Sequence, residues 1–546
     1  METPTSLAAD VSSRDRWLIT ALLGLGLITF AIDASNTRLV LPQMMTSLRV
    51  ELYQSHWVFT APGIARTVMT ASTGWLSGGL GPRLLYLLSI GTLTLGALGS
   101  LVAWDWPSLL VFRVLAGMGG GMIPPLSQAI FYQIFPPGKR GMALGFALMG
   151  WSIGPAFGPL MGGTLLETAP WRIVYAVTLP LSGVGLLLAW WWLPPLRRPA
   201  RRRLDVLGVA LLAVAVSTLL VALTQGNRDG WDAPHILTLL TVAGVTAVAF
   251  VVVQLARAEP LVELRLFGSV PFVMAMIVMF LNTMAFRGSE PMLSVFMQRL
   301  LGWEPVLVAW VQMLPNLVYG AMVILVGRLA DRVPCHGLVM SGLALYAGAF
   351  WGYAGINELT TVPLMLVFLM LRSTAEATIG SPNNLATLEA LPESKVYMAT
   401  ALTGLLRSIA NAMGTATAAV VWDVRYSHRV QQYAETTPLD ALGYTTALQG
   451  VQQTLQWAGD LAASIPTQAL ALMQERLVAE ASTAAWQDYF LFNTGLALVG
   501  LLPALPCWRR QKYDPAAAPP LAPRAAMRQG APGAQAAPRV PLRRPH

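Results

Sequence analysis

The sequence predicts an all-α, polytopic membrane protein of about fourteen transmembrane helices: six, an inserted pair, and six more. Three observations carry this: the composition, the recurrence of long apolar runs, and a repeat between the two halves. Of 546 residues, 55% are hydrophobic and 12% charged, and the mean hydropathy is +0.56, well outside the range of soluble domains. Apolar runs of roughly 20 residues, the length a helix needs to cross a hydrocarbon core of ~30 Å, recur along nearly the whole chain.

Taken in order, the runs predicted to be helices are 17–42, 56–80, 84–103, 107–132, 141–166, 171–194, 206–225, 235–255, 270–299, 304–328, 338–356, 362–388, 398–424 and 485–507. They divide the chain into a cytoplasmic N-terminus (1–16), a first six-helix bundle (17–205), an inserted helix pair (206–265) and a second bundle (266–512). The second bundle carries a polar extracytoplasmic segment at 425–484, with helix-like stretches at 442–463 and 466–480. Residues 513–546, rich in Pro, Ala and Arg, read as a disordered cytoplasmic tail.

Orientation follows from the basic residues. With the N-terminus inside, Lys139, Lys395, Lys512, Arg197, Arg198 and Arg201 to Arg203 all fall on the cytoplasmic side, as the positive-inside bias requires. Both termini are then cytoplasmic, in the cell inner membrane. The net charge of +9 is spread by topology and not gathered on a basic domain, which argues against a nucleic-acid partner. Cys335 and Cys507 form no disulfide framework, and the five histidines lack ligand spacing, so no metal is expected. The first run contains Asp33 and no small-residue cleavage site, and reads as a retained helix. No phosphate-binding loop and no nucleophile–base constellation occurs, which predicts neither an enzyme nor a cofactor.

The repeat is visible in four matches. Gly74 to Ser77 pairs with Gly327 to Ala330, Arg113 with Arg372, Pro125 with Pro382 and Lys139 with Lys395, at shifts between 253 and 259 residues. Six helices repeated once, around an inserted pair, place a substrate site at the interface of the repeats.

Ionisable groups inside the membrane are costly, about 2.5–3.5 kcal/mol each on insertion scales, so they face a cavity, pair or carry function. From the helix rise, Asp33, Arg66 and Glu290 lie roughly 13–15 Å below the outer ends of their helices, Arg113 roughly 9 Å, Arg372 roughly 15 Å and Glu376 roughly 21 Å. All six fall in one middle layer. Helical spacing lets Arg287 pair with Glu290 and Arg372 with Glu376, and a neutralised pair that only fixes helix register is an equally good reading of those two carboxylates.

Asp33 shares its face with Asn36 and Thr37, so a cationic partner must come from another helix. By depth the candidates are Arg66 and Arg113. Making and breaking such a contact loads or releases a proton. Asp33, Arg113, Glu290 and Glu376 are therefore candidates for proton coupling, and Asn36, Arg66, Arg113, Asn282, Glu290 and Arg372 for the substrate cavity. A proton falling through roughly 150 mV supplies about 3.5 kcal/mol, which sustains a gradient of a few hundred-fold for an uncharged solute. Methionines such as Met276, Met279 and Met284 suit an adaptable apolar cavity, though core packing explains most of them equally well.

In the fifth run, glycines at 150, 154, 158 and 162 recur every four residues, with Pro155, Pro159 and Gly163 beside them. Such a stripe admits close approach by another helix, and the prolines can bend the seam. Plain tight packing would account for the same pattern. This run matches the antiporter motif of the major facilitator superfamily, and from Trp17 to Cys507 the chain resembles its fourteen-helix drug:proton antiporter branch of EmrB/QacA type.

Further matches are Ile32-Asp33 to Pro42, Arg113 to Gly117, Trp171-Arg172 with Pro180, and Gly327, Asp331 and Arg332, which resemble the cytoplasmic gating loop. In the first half Gly74, Gly81 and Arg83 follow the same pattern, but Gly78 stands where the family has an aspartate. The resemblance implies proton-coupled export of small hydrophobic drugs or toxic weak acids, a fifth-helix seam that seals the resting pathway, and a periplasmic adaptor with an outer-membrane channel as partners. Other readings are a dedicated exporter of an anionic metabolite or siderophore, and a membrane sensor or scaffold built on a transporter fold.

Overall fold

The computed structural model describes residues 12–168, 170–194, 196, 205–257, 259–357, 359–436, 442–457 and 465–504. Cys507, Arg197, Arg198, Arg201 to Arg203, Lys512 and the tail 513–546 lie outside the described residues.

Helix α1 (Ser13–Leu39) opens on Ser12, whose hydroxyl accepts from the Asp15 amide, and is followed by two short helices, α2 (Leu41–Leu48) and α3 (Leu52–Ser55). The first half continues with α4 (Trp57–Leu80), α5 (Pro82–Val102), α6 (Trp106–Ile134), α7 (Arg140–Thr168), α8 (Ile173–Ala176) and α9 (Thr178–Trp192). Between α4 and α5 the chain turns at Gly81, whose φ of 87° suits glycine. The inserted pair is α10 (Val206–Asp229) and α11 (Pro234–Ala256). The second half comprises α12 (Val270–Arg299), α13 (Pro305–Ala330), α14 (Cys335–Tyr353), α15 (Val362–Glu389), α16 (Val396–Thr436), α17 (Leu442–Trp457) and α18 (Ile465–Ala504).

By length and apolar composition ten of these helical stretches, α8 and α9 taken as one, can cross a membrane among the described residues. The other four expected spans, α4, α14, α16 and α18, are 24, 19, 41 and 40 residues long and pack among them.

Two expected runs come out differently. The run 171–194 is split into α8 and α9 around Val177, because Pro180 offers no amide to the Ala176 carbonyl and its ring crowds that oxygen. The polar segment 425–484 is helical where it is described, with α17 and the start of α18 in the expected stretches, but α16 continues into it to Thr436 and α18 runs from Ile465 without a break. No Gly or Pro interrupts either stretch until Pro438 and Pro466, so nothing stops the helices at the end of the apolar run. At 1.5 Å per residue each is about 60 Å long, twice a hydrocarbon core. The Arg429 guanidinium grips both oxygens of Asp488 at 3.0 and 2.9 Å, tying α16 to α18.

The first core gathers Leu23, Phe30, Tyr86, Ile123 and Phe131 and continues into Val396 and Tyr397 of α16. A second core, with Phe296, Tyr346, Phe350, Tyr353 and Phe490, lies within the second half. The halves meet along two seams, α7 against α13 and α4 against α16, and α10 packs on both α4 and α16.

Candidate transport site between the two halves

Glycines allow the seams to close. A Cβ on Gly327 of α13 would sit 2.4 Å from the Gly141 carbonyl oxygen of α7, and one on Gly145 would sit 2.6 Å from that of Val323. Asp331 completes this seam: its two carboxylate oxygens accept the Gly141 and Met142 amides at 2.7 and 3.0 Å, satisfying free N–H groups at the start of α7. In the other seam a Cβ on Gly74 of α4 would lie 2.9 Å from the Met398 Cα, and one on Gly404 would meet Thr70 at 2.5 Å. Gly78, 253 positions before Asp331, is buried here and offers no carboxylate. The Tyr397 hydroxyl donates to Gln133 at 3.1 Å, and Arg140 pairs with Glu393 across the same end. Arg83 donates to the Trp190 carbonyl at 2.6 Å, and Arg332 is exposed.

Above these contacts lies a cavity of about 260 Å³. Both halves line it, and α10 contributes Leu220. Its apolar wall includes Phe30, Trp151, Met279 and Phe286; its polar wall includes Arg66, Asn282, Arg287, Glu376, Asn384 and Arg407. Asn282 donates to the Glu376 carboxylate at 2.6 Å, Arg407 to the Asn384 amide oxygen at 2.9 Å, and Arg287 to Glu290 at 2.9 Å. The Arg66 guanidinium lies 4.7 Å over the Phe30 ring.

The site residues expected from the sequence thus fall into two groups. Arg66, Asn282 and Glu376 line the cavity, whereas Arg113, Glu290 and Arg372 do not. Of the two candidates by depth, Arg113 is the one that meets Asp33, as a bidentate pair at 2.9 and 3.0 Å with each residue 2% exposed. Its guanidinium lies 5.1 Å over the Tyr175 ring. The Arg372–Glu376 pair expected from helical spacing is not formed. Arg372 donates instead to the Ser289 hydroxyl at 3.1 Å and lies 4.3 Å over Phe286, because α12 presents better-placed partners to both residues than the α15 turn does. The Asn36 side chain lies outside the described residues.

The glycine stripe of α7 packs on α1. A Cβ on Gly154 would lie 2.3 Å from the Ala31 backbone and one on Gly150 3.0 Å from the Leu27 Cβ. Gly158 is buried and Pro155 half-buried; Pro159, Gly162 and Gly163 belong to α7, but their packing lies outside the described residues.

Arg407 escaped the sequence reading, although its signal, an ionisable residue inside an apolar run, was the one that singled out the others. Outside the membrane-spanning segments, the Asp105 carboxyl is held below its usual range by hydrogen bonds from Ser108, with which it forms a capping box at the start of α6. Among the described residues no cluster of His, Cys, Asp or Glu could hold a metal ion.

Comparisons with known proteins bear on the fold and the family. The multidrug export protein EmrB of Escherichia coli K12 is 27% identical over 506 residues, 89% of this chain and 94% of its own. The fatty acid resistance protein FarB of Neisseria gonorrhoeae is 26% identical over 442 residues, 80% and 86% of the two chains. The human organic anion transporter MFSD10 superposes with a TM-score of 0.54 at 16% identity, over 89% of this chain and 100% of that one, and shows the fold alone. The family model described as Major Facilitator Superfamily matches residues 23–415. The chain is therefore a multi-pass membrane transporter and belongs to the Major Facilitator Superfamily.

Proposed function

We propose that this transporter exports small hydrophobic molecules or weak acids across the inner membrane in exchange for protons, with both termini in the cytoplasm. The observation that carries the reading is the cavity at the interface of the two halves, lined by charged groups, with the halves in close contact at the Gly327 and Gly74 seams. Lys139, Arg140, Arg328, Arg332 and Lys395 cluster at that end, which the positive-inside rule assigns to the cytoplasm. The cavity is then sealed from the inside, and export requires the halves to rock so that both seams part. EmrB is named for multidrug export and FarB for fatty acid resistance, which supports a substrate of this kind.

Asp33 carries the exchanged proton in this reading. Its partner is Arg113 of the same half, so coupling requires a rearrangement inside the first half, α6 shifting against α1 as the seams open, that exchanges the Arg113 contact for a proton on Asp33. The retained charges speak against a sensor or scaffold without transport. The long ends of α16 and α18 form the docking element for a periplasmic adaptor that leads to an outer-membrane channel. An adaptor affinity unchanged by deletion of 425–484 removes that part.

The test is proton movement. Adding a hydrophobic weak acid to energised inverted vesicles should release protons through the wild type, seen as recovery of a pH-sensitive dye, and not through Asp33→Asn. No proton release through the wild type with any substrate it exports ends the antiport reading.

A further inference from the structure

We propose that Arg407 is the anchor for a negatively charged head group, and that the transported substrates are amphiphilic monoanions such as carboxylates. The inference rests on the export reading and names its substrate class.

The first argument is the state of the arginines in the middle layer. Arg113 holds a carboxylate in a bidentate grip, and Arg287 is paired with Glu290. Arg372 has the Ser289 hydroxyl and the Phe286 ring. Arg407 lines the cavity, and its hydrogen bond is to a neutral acceptor, the Asn384 amide oxygen. Among the described residues it has no ion pair. A guanidinium at this depth with no carboxylate hydrogen-bonded to it is a costly arrangement that an incoming anion relieves, and its planar fork matches a carboxylate better than an ammonium would.

The second argument is charge balance. Arg66, Arg287 and Arg407 line the cavity with one carboxylate, Glu376, among the described residues. Glu290 neutralises Arg287 from outside the lining. The lining itself therefore holds more guanidinium than carboxylate groups. An organic cation is repelled, a neutral molecule leaves the excess in place, and a monoanion completes it.

The third argument is the wall beside Arg407. Phe30 and Trp151 from one half and Met279 and Phe286 from the other offer an apolar surface for the body of such a molecule. An anion at Arg407 and a proton on Glu376 favour each other, so Glu376 cannot serve as the site where proton and substrate exclude one another. That leaves exchange to the separate Asp33–Arg113 pair, and gives Glu376 the task of limiting anion affinity.

The test uses purified full-length protein and three probes with one alkyl chain: dodecanoate, dodecanamide and dodecyltrimethylammonium, with binding followed by calorimetry. Dodecanoate should bind about tenfold or more tighter than the amide, as expected for a charge-assisted hydrogen bond, and the cation weakest. Arg407→Gln should bring dodecanoate down to about the amide's affinity and weaken the amide far less than dodecanoate. Arg407→Lys should keep part of the preference, and Glu376→Gln should tighten dodecanoate several-fold. Equal affinity of the wild type for dodecanoate and dodecanamide, or an anion preference that survives Arg407→Gln, overturns the proposal. Binding is read apart from transport. An anion preference in a protein that transports nothing sinks the export reading alone, and transport of the amide without any anion preference sinks the Arg407 anchor alone.

Discussion

The two halves of this protein are built on one repeat, yet they have divided its carboxylates between them. In the first half, Arg113 of α6 grips Asp33 of α1. In the second, Arg372 of α15 reaches the same place on α12 and finds Ser289, 256 positions after Asp33. At the seams the asymmetry is reversed. Asp331 of the second half caps the start of α7, while at the matching position of the first half stands Gly78, buried in α4 and without an acid. At these repeat-related positions one half keeps its acid in the middle of the membrane and the other at the gate, while Glu290 and Glu376 of the second half have no counterpart in this comparison. The scaffold is shared, but at these matched positions the central ion pair and the carboxylate that holds the gate shut belong to separate halves.

The largest difference should appear when each central arginine is removed. Arg113→Ala strands a buried carboxylate and should cost about 3–5 kcal/mol of stability. Arg372→Ala leaves only a hydroxyl and should cost about 1–3 kcal/mol. Thermal unfolding in detergent measures both, and equal losses would erase the distinction. Function should split the same way: Asp33→Asn should reduce substrate accumulation from a few hundred-fold to about one, with Ser289→Ala near wild type.

The gate comes next in size. Losing the Asp331 side chain removes a helix cap worth about 0.5–2 kcal/mol, so Asp331→Ala should open the α7–α13 seam more often. Labelling of a Gln133→Cys reporter from the cytoplasmic side should rise by about two- to thirtyfold. Gly78→Asp, which rebuilds the missing acid, should lower labelling in the same assay. No change with either variant would mean that the caps do not set the gate.

The smallest effect concerns the outer helix ends. Asp105 caps α6 through a capping box with Ser108, whereas Thr361, 256 positions later, starts α15 without a side-chain cap. Because Ser108 holds the Asp105 carboxyl below its ordinary value, the added stability is present above the usual carboxylate range and is lost as pH falls through the lowered value. Asp105→Asn should therefore melt slightly earlier at neutral pH and match the wild type in strong acid. Thr361→Ala should show no such pH dependence.

Much of the fold was legible because apolar runs of spanning length translate directly into helices: the run 270–299 coincides with α12, and 362–388 ends one residue short of α15. Hydropathy says where a chain can enter lipid but not where a helix must stop. That is why α16 and α18 overran the polar segment and why the break before Pro180 went unseen. In the site, depth alone narrowed the partner of Asp33 to Arg66 or Arg113. Depth carries no information on facing, so it could not show that Arg66 turns to the cavity and Arg113 away from it. The Arg372–Glu376 spacing misled for a related reason: partners on α12, distant in sequence, outcompete a neighbour one turn away.

The account stands or falls on Asp33 as the group that couples substrate to protons, and two assays on one preparation of proteoliposomes address it. Counterflow exchanges labelled for unlabelled substrate with no gradient, and pH-driven uptake requires coupling. Asp33→Asn should retain most of its counterflow and lose driven uptake. Driven uptake that survives in Asp33→Asn alongside normal counterflow would contradict it.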